Sequence, residues 1–347
     1  MKFGPTSLPL AAGKILGHNI AGPDGMRLLK KGKPLTDDDL RALSAIGRET
    51  VYVAELEPDD VGENDAARRV GAAVAGQNLR PVGPSAGRLN LLATGLGILR
   101  VDVDRLTRIN DCEGLTVATL LTNTPVYPKD MVATVKVIPY ALPEAIIHRA
   151  ERIAAETAES LISVDVLAPL PVSLIFSGSP SLQEKLNTDF APLRTRIETL
   201  GSHIAHTDYL PLEDEQGEHL LADILCRHYH AGSKLIVLAG ETAIMDRQDI
   251  VPRALERAGG RVEVVGVPVD PGNLLMLGYL HDAFGKNAIP VLGAPGCARS
   301  QKTNIIDWVL PRLLAGDRLV RSDFISLGHG GLLEDTRQRP MPRGKLE

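Results

Sequence analysis

The stretch VLGAPGCARSQKTN, Val291 to Asn304, pairs a buried-strand pattern with a tight turn and then a polar run. Pro295, Gly296, Cys297 and Ala298 give close backbone geometry, and Arg299, Ser300 and Lys302 follow with two cations and a hydroxyl. Small residues expose backbone N–H groups, and the start of a following helix adds partial positive charge. Together they suit an anion such as phosphate.

Two more stretches carry chemistry of the same kind. AGETAIMDRQD, Ala239 to Asp249, places Gly240 beside Glu241 and Thr242, with Asp246 and Asp249 further on. VDPGNLLMLG, Val269 to Gly278, flanks the Pro271-Gly272 turn with Asp270 and Asn273. Carboxylates near a phosphate repel it unless a cation such as Mg²⁺ bridges them or they take up ligand N–H groups. Structural roles are open at the same positions. Pro-Gly turns join many strands to helices, Asp249 fits an N-cap, and Arg299 fits a solvated charge.

Positioning these loops is the work of a strand–helix alternation. VSLIF, SHIAHT, KLIVLAG, RVEVVGV and AIPVLGA read as strands, and KLIVLAG has the continuous apolar run of a central parallel strand. Between them lie helical patterns: Leu186 to Leu200, with Pro192 in a first turn or at a kink; EHLLADILCRHYHAG, stopped by Gly232; and DIVPRALERAGG, with Asp249 as N-cap and Gly259 as terminator. A helix over IIDWVLPRLLAG closes the series. Such alternation predicts a three-layer α/β/α domain with a mostly parallel sheet, whose ligands sit at the carboxyl ends of the strands.

Smaller mixed α+β or β-rich domains are expected ahead of it. The predicted division is 1–56, 57–165, 166–320 and a tail or linker at 321–347. In the first, KKGKPLTDDDLRALSAIG reads as a helix capped by Thr36 with Asp39 at N3, and ETVYVAEL as a strand. In the second, ENDAARRVGAAVAG reads as a helix closed by Gly76, GILRVDVDRLTRIN and DMVATVKVIPY as alternating strands, and HRAERIAAETAESL as a helix. The apolar stripe of that last helix runs from Ile146 to Leu161.

Bulk composition excludes several classes. Aromatics are 3% and the net charge is −5 with no basic tract, which disfavours a nucleic-acid binder. No run of apolar residues is long enough for a membrane span. Cys112, Cys226 and Cys297 lie far apart without a CxxC pair, so a reducing cytoplasm fits better than a disulfide framework or a zinc site. No GxGxxG or GxxxxGK[ST] pattern occurs. GPSAG, Gly83 to Gly87, matches a nucleophile elbow but lacks the strand before and helix after, and reads as a loop. His228 and His230, spaced i, i+2 on a helix, point to different faces and read as packing or surface residues.

Residues 171–316 resemble the molybdopterin-binding domain family of molybdenum-cofactor biosynthesis. AGETAIMDRQDIVPRAL is similar to that family's Gly-Gly-Thr/Ser-Gly loop ending in Asp. DPGNLLMLG is similar to its PGKP-like turn, and APGCARSQ to its PGNPxS loop, with Pro295, Gly296 and Ser300 matching. A weaker likeness, through KKGKPLT and MVATVKVIP, links the leader to members fused to a nucleotidyltransferase module. The resemblance implies molybdopterin, or the molybdenum cofactor, as ligand. Its phosphate would meet the amides of Gly296 and Cys297 and the hydroxyl of Ser300, and its pterin edge Asp246 or Asp249. The sequence departs from the family at Glu241, which adds a charge, and at Asn273, which stands where the turn has lysine. No acid follows the first strand before Glu184.

Three functions follow from the resemblance. The first is a cytoplasmic molybdopterin-binding protein that presents its ligand for nucleotidyl transfer or metal insertion by a module in cis or in trans. The second is a Mg-ATP-dependent adenylyltransferase or molybdenum insertase in its own right, with Asp249 and Asp214 (or Glu213) holding Mg²⁺ against a nucleotide's phosphates. The third is a non-catalytic sensor or scaffold. Relatives of this kind commonly self-associate, so a homo-oligomer is expected.

Overall fold

The structure is a computed structural model, and it describes residues 1–211, 215–282 and 287–333. The chain divides into two compact units, 1–165 and 166–347. No helix among the described residues is long and apolar enough to cross a membrane.

The first unit holds two separate cores. The smaller, which includes Leu16, Leu43 and Val53, lies under a three-stranded antiparallel sheet of Lys2–Ser7, Thr50–Glu55 and Ile15–Leu16. Its helix, Asp37–Ala45, begins at a complete capping box: Thr36 Oγ1 accepts from the Asp39 amide, and the Asp39 carboxylate accepts from the Thr36 amide. The larger core packs the helices Glu63–Val74 and Glu144–Ala154 with a four-stranded antiparallel sheet. The first three residues of GPSAG end the strand Leu79–Ser85, so a strand does lead into it, and Ala86 and Gly87 turn into the strand Arg88–Ala93 with no helix after them.

Two further sequence expectations fail in this unit. GILRVDVDRLTRIN is a strand only over Gly97–Val101. Asp102 then accepts from the Arg105 amide and starts a helix, Val103–Asn110, so a local cap ends the extended run. The helix expected to reach Leu161 ends at Ala154, and Leu161 is buried beyond it.

In the second unit the elements are β1 (Pro171–Ser177), α1 (Gln183–Asp189), α2 (Ala191–Thr199), β2 (His203–Leu210), α3 (Glu215–His230), β3 (Leu235–Gly240), α4 (Ile250–Arg257), β4 (Arg261–Val265), β5 (Met276–Leu280), β6 (Ile289–Gly293), α5 (Ile305–Leu314) and α6 (Arg321–Ser326). They build an α/β fold around a six-stranded sheet of order β2-β1-β3-β6-β5-β4. β1 runs parallel to β2 and β3, and β3 to β6, while β5 is antiparallel to both its neighbours. MLGYL in β5 is a strand the sequence reading left inside a loop. It is short and wholly buried, so no polar alternation marks it.

Side chains alternate across the sheet. Ile175, Ile236, Leu238 and Val291 face α3 and α4. Phe176 turns the other way, onto Phe190 between α1 and α2. Helices therefore cover both faces, and each such buried aliphatic side chain contributes roughly 1.5–3 kcal/mol. Pro192 lies in the first turn of α2, where its missing N–H costs nothing, and the predicted single helix becomes two. Residues 321–333, within the region read as tail, include α6, whose Phe324 is buried.

Candidate functional site

Strand direction decides which loops share an edge. The carboxyl ends of β1, β3, β4 and β6 and the amino end of the reversed β5 lie on one side of the sheet. The segments 241–249, 266–275 and 294–304 therefore emerge together.

Their contacts tie them to one another. Arg299 Nη2 donates to the Gly240 carbonyl at 2.7 Å, joining the third segment to the first. The same guanidinium lies 4.8 Å from the Phe190 ring centroid, with Nη1 4.0 Å from Asp189 Oδ2. Arg299 thus serves the frame and is not a freely solvated charge. The second segment meets the third at Ile305: its amide donates to the Pro271 carbonyl at 3.2 Å, and a side chain at Gly272 would strike it. Glu241 reaches back to the loop after β1, where its Oε2 accepts from the Ser179 amide and hydroxyl, both at 3.0 Å. Those bonds, the amide's first, hold the Glu241 carboxyl below the usual range.

The other acids of the first loop are spent locally. Asp249 stands at the N-cap of α4 as expected, but its side chain does not cap the helix: Oδ2 accepts from the amides of Met245 at 2.6 Å and Asp246 at 3.0 Å. Asp246 Oδ1 accepts from the Gln248 amide at 2.7 Å. Thr242 is exposed beside them. Asp214 and Glu213 lie outside the described residues. Among the described residues no three His, Cys, Asp or Glu side chains gather as a metal-holding group. Asp249 alone makes no cage for Mg²⁺.

The third segment departs from the expected strand-to-helix turn. Gly296–Arg299 is a 3₁₀ turn, and α5 starts only at Ile305. The long helix is closed by its own capping box: Asn304 Oδ1 accepts from the Ile306 amide, and Asp307 Oδ2 from the Asn304 amide. The amides of Gly296 and Cys297 open the shorter 3₁₀ turn instead, where the first N–H groups have no intrahelical acceptor. Gly296 is exposed, with no heavy atom within 4 Å of where a Cβ would stand. Ser300 Oγ accepts from the Lys302 amide at 3.1 Å. The Cys297 thiol is pushed up by burial, so it stays protonated at neutral pH.

Asn304, Arg196 and Ser179 are supports the sequence reading missed. Asn304 is almost wholly buried and donates to the carbonyls of Cys297 and Lys302. Arg196 donates to the carbonyls of Ser300 and Lys302 and to Asp307. A signal for Asn304 exists in N-I-I-D, a capping box ahead of an apolar run. Arg196 and Ser179 carry none, being distant in sequence from what they hold. His228 is buried against His206 and Asp208 while His230 is exposed, on different faces of α3.

Among the described residues, one hollow borders the second loop and another lies by β1, α1 and β2; neither is lined by Gly240 or Gly296. One, of about 290 Å³, is lined by Val267, Val269, Asp270 and Asn273 among others. The other, of about 350 Å³, lies by Phe176, Asn187, Thr207 and Tyr209.

Comparison with known proteins adds little detail. Residues 6–55 match a family described as a domain of unknown function (DUF8806). None of the curated proteins matches the chain. Among solved structures, the chain is weakly similar to a molybdenum cofactor biosynthesis protein from Pyrococcus furiosus. Identity is 12% and the TM-score 0.26, covering 90% of this chain and 63% of that one. A formyltetrahydrofolate deformylase from Burkholderia mallei ATCC 23344 is 15% identical with a TM-score of 0.20, covering 68% of this chain and 90% of that one. This chain spans less than two thirds of the length of the first neighbour.

Proposed function

We propose that the chain is a molybdopterin-binding protein of molybdenum-cofactor biosynthesis, holding the ligand's phosphate at the carboxyl edge of the sheet for transfer chemistry carried out with a partner module. The observation that supports this reading is the meeting of Gly240, Gly272 and Gly296 on one edge, joined through Arg299 and Ile305. The same three segments carry the family resemblance in the same order.

In this reading the amides of Gly296 and Cys297 and the Ser300 hydroxyl receive the phosphate. The open space at Gly296 lets an anion approach the backbone. Arg299 holds the cup together and lends it positive charge. Asp270 and Asn273, both exposed, read the polar ring. Asp246 and Asp249 shape the first loop with the carboxylate oxygens that accept its amides, which favours binding over catalysis by these acids.

Titrating the purified protein with molybdopterin by calorimetry tests the proposal. The expected result is saturable one-site binding with a dissociation constant in the micromolar range or tighter. An arm with ATP and Mg²⁺ added should release no pyrophosphate. Absence of binding removes the reading, and pyrophosphate release turns it into an enzyme's.

A further inference from the structure

After α6 the chain returns to the sheet edge. The Asp270 amide donates to the Gly331 carbonyl at 2.8 Å, and the Leu333 amide donates to the Asp270 carbonyl at 2.8 Å. Asp270 and Leu332 thus form an isolated parallel bridge, so both backbone groups of Asp270 are held by residues 331–333. The approach is close enough to require glycine: a Cβ on Gly331 would stand 2.4 Å from the Pro268 carbonyl oxygen. The hollow of about 290 Å³ lies at this junction, with Gly328, Gly331 and Leu332 facing Asp270 and Asn273 across it. Leu332 is 74% exposed, an apolar side chain left uncovered at the rim.

We infer that Gly330–Leu333 is a fourth wall of the candidate site, which positions the Asp270 loop and closes a pocket for a small planar ring bearing adjacent N–H donors. The inference rests on the molybdopterin reading and assigns the ring end of that ligand. The lining sets the chemistry. A carboxylate accepts two neighbouring N–H groups, as on an aminopyrimidinone edge, and a carboxamide both donates and accepts. Val267, Val269 and Leu332 offer apolar cover to a flat ring. The volume is at the lower end for ligand pockets, which fits one bicyclic ring and not a whole nucleotide. The sequence reading proposes Asp270 and Asn273 as ligand residues, whereas the wall opposite them lies in the region read as tail.

Two variants of the full chain test this, Gly331→Ala and Leu332→Ser. The first drives residues 331–333 off the loop, and the second removes only an exposed apolar surface and leaves folding intact. Hydrogen exchange is measured without ligand. Binding is measured with unsubstituted pterin, by fluorescence quenching, and with molybdopterin. Gly331→Ala is expected to raise exchange at the Asp270 amide at least about tenfold, and both variants to weaken pterin binding about tenfold. Unchanged exchange in Gly331→Ala overturns the positioning role. If the wild type binds molybdopterin and both variants bind it and pterin equally well, the wall is disproved while the phosphate cup stands. If the wild type binds neither compound, the molybdopterin reading falls and the ring pocket falls with it, while exchange still decides the positioning role.

Discussion

Pro271-Gly272 and Pro295-Gly296 repeat one dipeptide on one sheet edge, with different surroundings. Gly272 has a φ of 136°, is buried, and would place a Cβ 2.2 Å from Ile305 Cγ2. Gly296 is exposed, has an ordinary φ, and would place its Cβ in open space. At the first position the fold excludes every other residue. At the second a Cβ would meet nothing, and in the proposed reading glycine there leaves room for the ligand's anion. One turn is fixed by packing, and the other is open to solvent.

Replacing Gly272 with alanine is the largest perturbation. The added carbon meets Ile305 and sits in a backbone region that side chains rarely adopt, two penalties of one to a few kcal/mol each. Unfolding by urea should show a loss of roughly 3 kcal/mol, and molybdopterin binding should weaken with it because the second and third segments separate. A loss under about 0.5 kcal/mol would mean that the junction relaxes freely, and the contrast between the turns would dissolve.

Gly296→Ala should do the reverse. Its stability is expected to stay within about 0.5 kcal/mol of wild type, as for a surface substitution without strain. Its affinity for molybdopterin should fall about tenfold, or about 1.4 kcal/mol, since a methyl group then stands where the anion meets the amides. Calorimetric titration of the two glycine variants side by side gives the result. Equal affinity in Gly296→Ala and wild type would move the phosphate elsewhere on the edge.

The difference between the two turns was not legible from the dipeptides themselves. Local patterns did reveal the frame: apolar runs such as KLIVLAG, the Thr36–Asp39 box and the glycines closing α3 and α4 each depend on neighbours in sequence. Where a charge is spent depends on neighbours in space. Asp249 takes the N-cap position its sequence suggests, yet its side chain turns back onto two amides of its own loop. Arg299 fits a solvated cation, yet it bridges to Gly240 over the ring of Phe190, which comes from the junction of α1 and α2. β5 escaped because a fully buried strand lacks alternation, and its direction is what brings Asp270 to the same rim as Gly296.

The first loop adds a third kind of tie and the smallest predicted effect. Steric fit fixes Gly272, whereas Glu241 is tied by charge-assisted bonds from Ser179. These lower the Glu241 carboxyl below its ordinary value of 4.5 in the folded chain. A depressed carboxyl stabilises the fold above its unfolded value, and that contribution disappears as pH falls through the lower folded value. The difference in urea midpoint between wild type and Glu241→Gln should therefore be constant from neutral pH down to about 4.5 and should shrink below it. Because the carboxylate is exposed, solvent screens the tie and the change should be slight beside that at Gly272. NMR titration of the Glu241 side-chain carboxyl gives the direct check. A midpoint at or above 4.5 would mean that Ser179 does not hold it, leaving the first loop joined to the rim through Arg299 and packing.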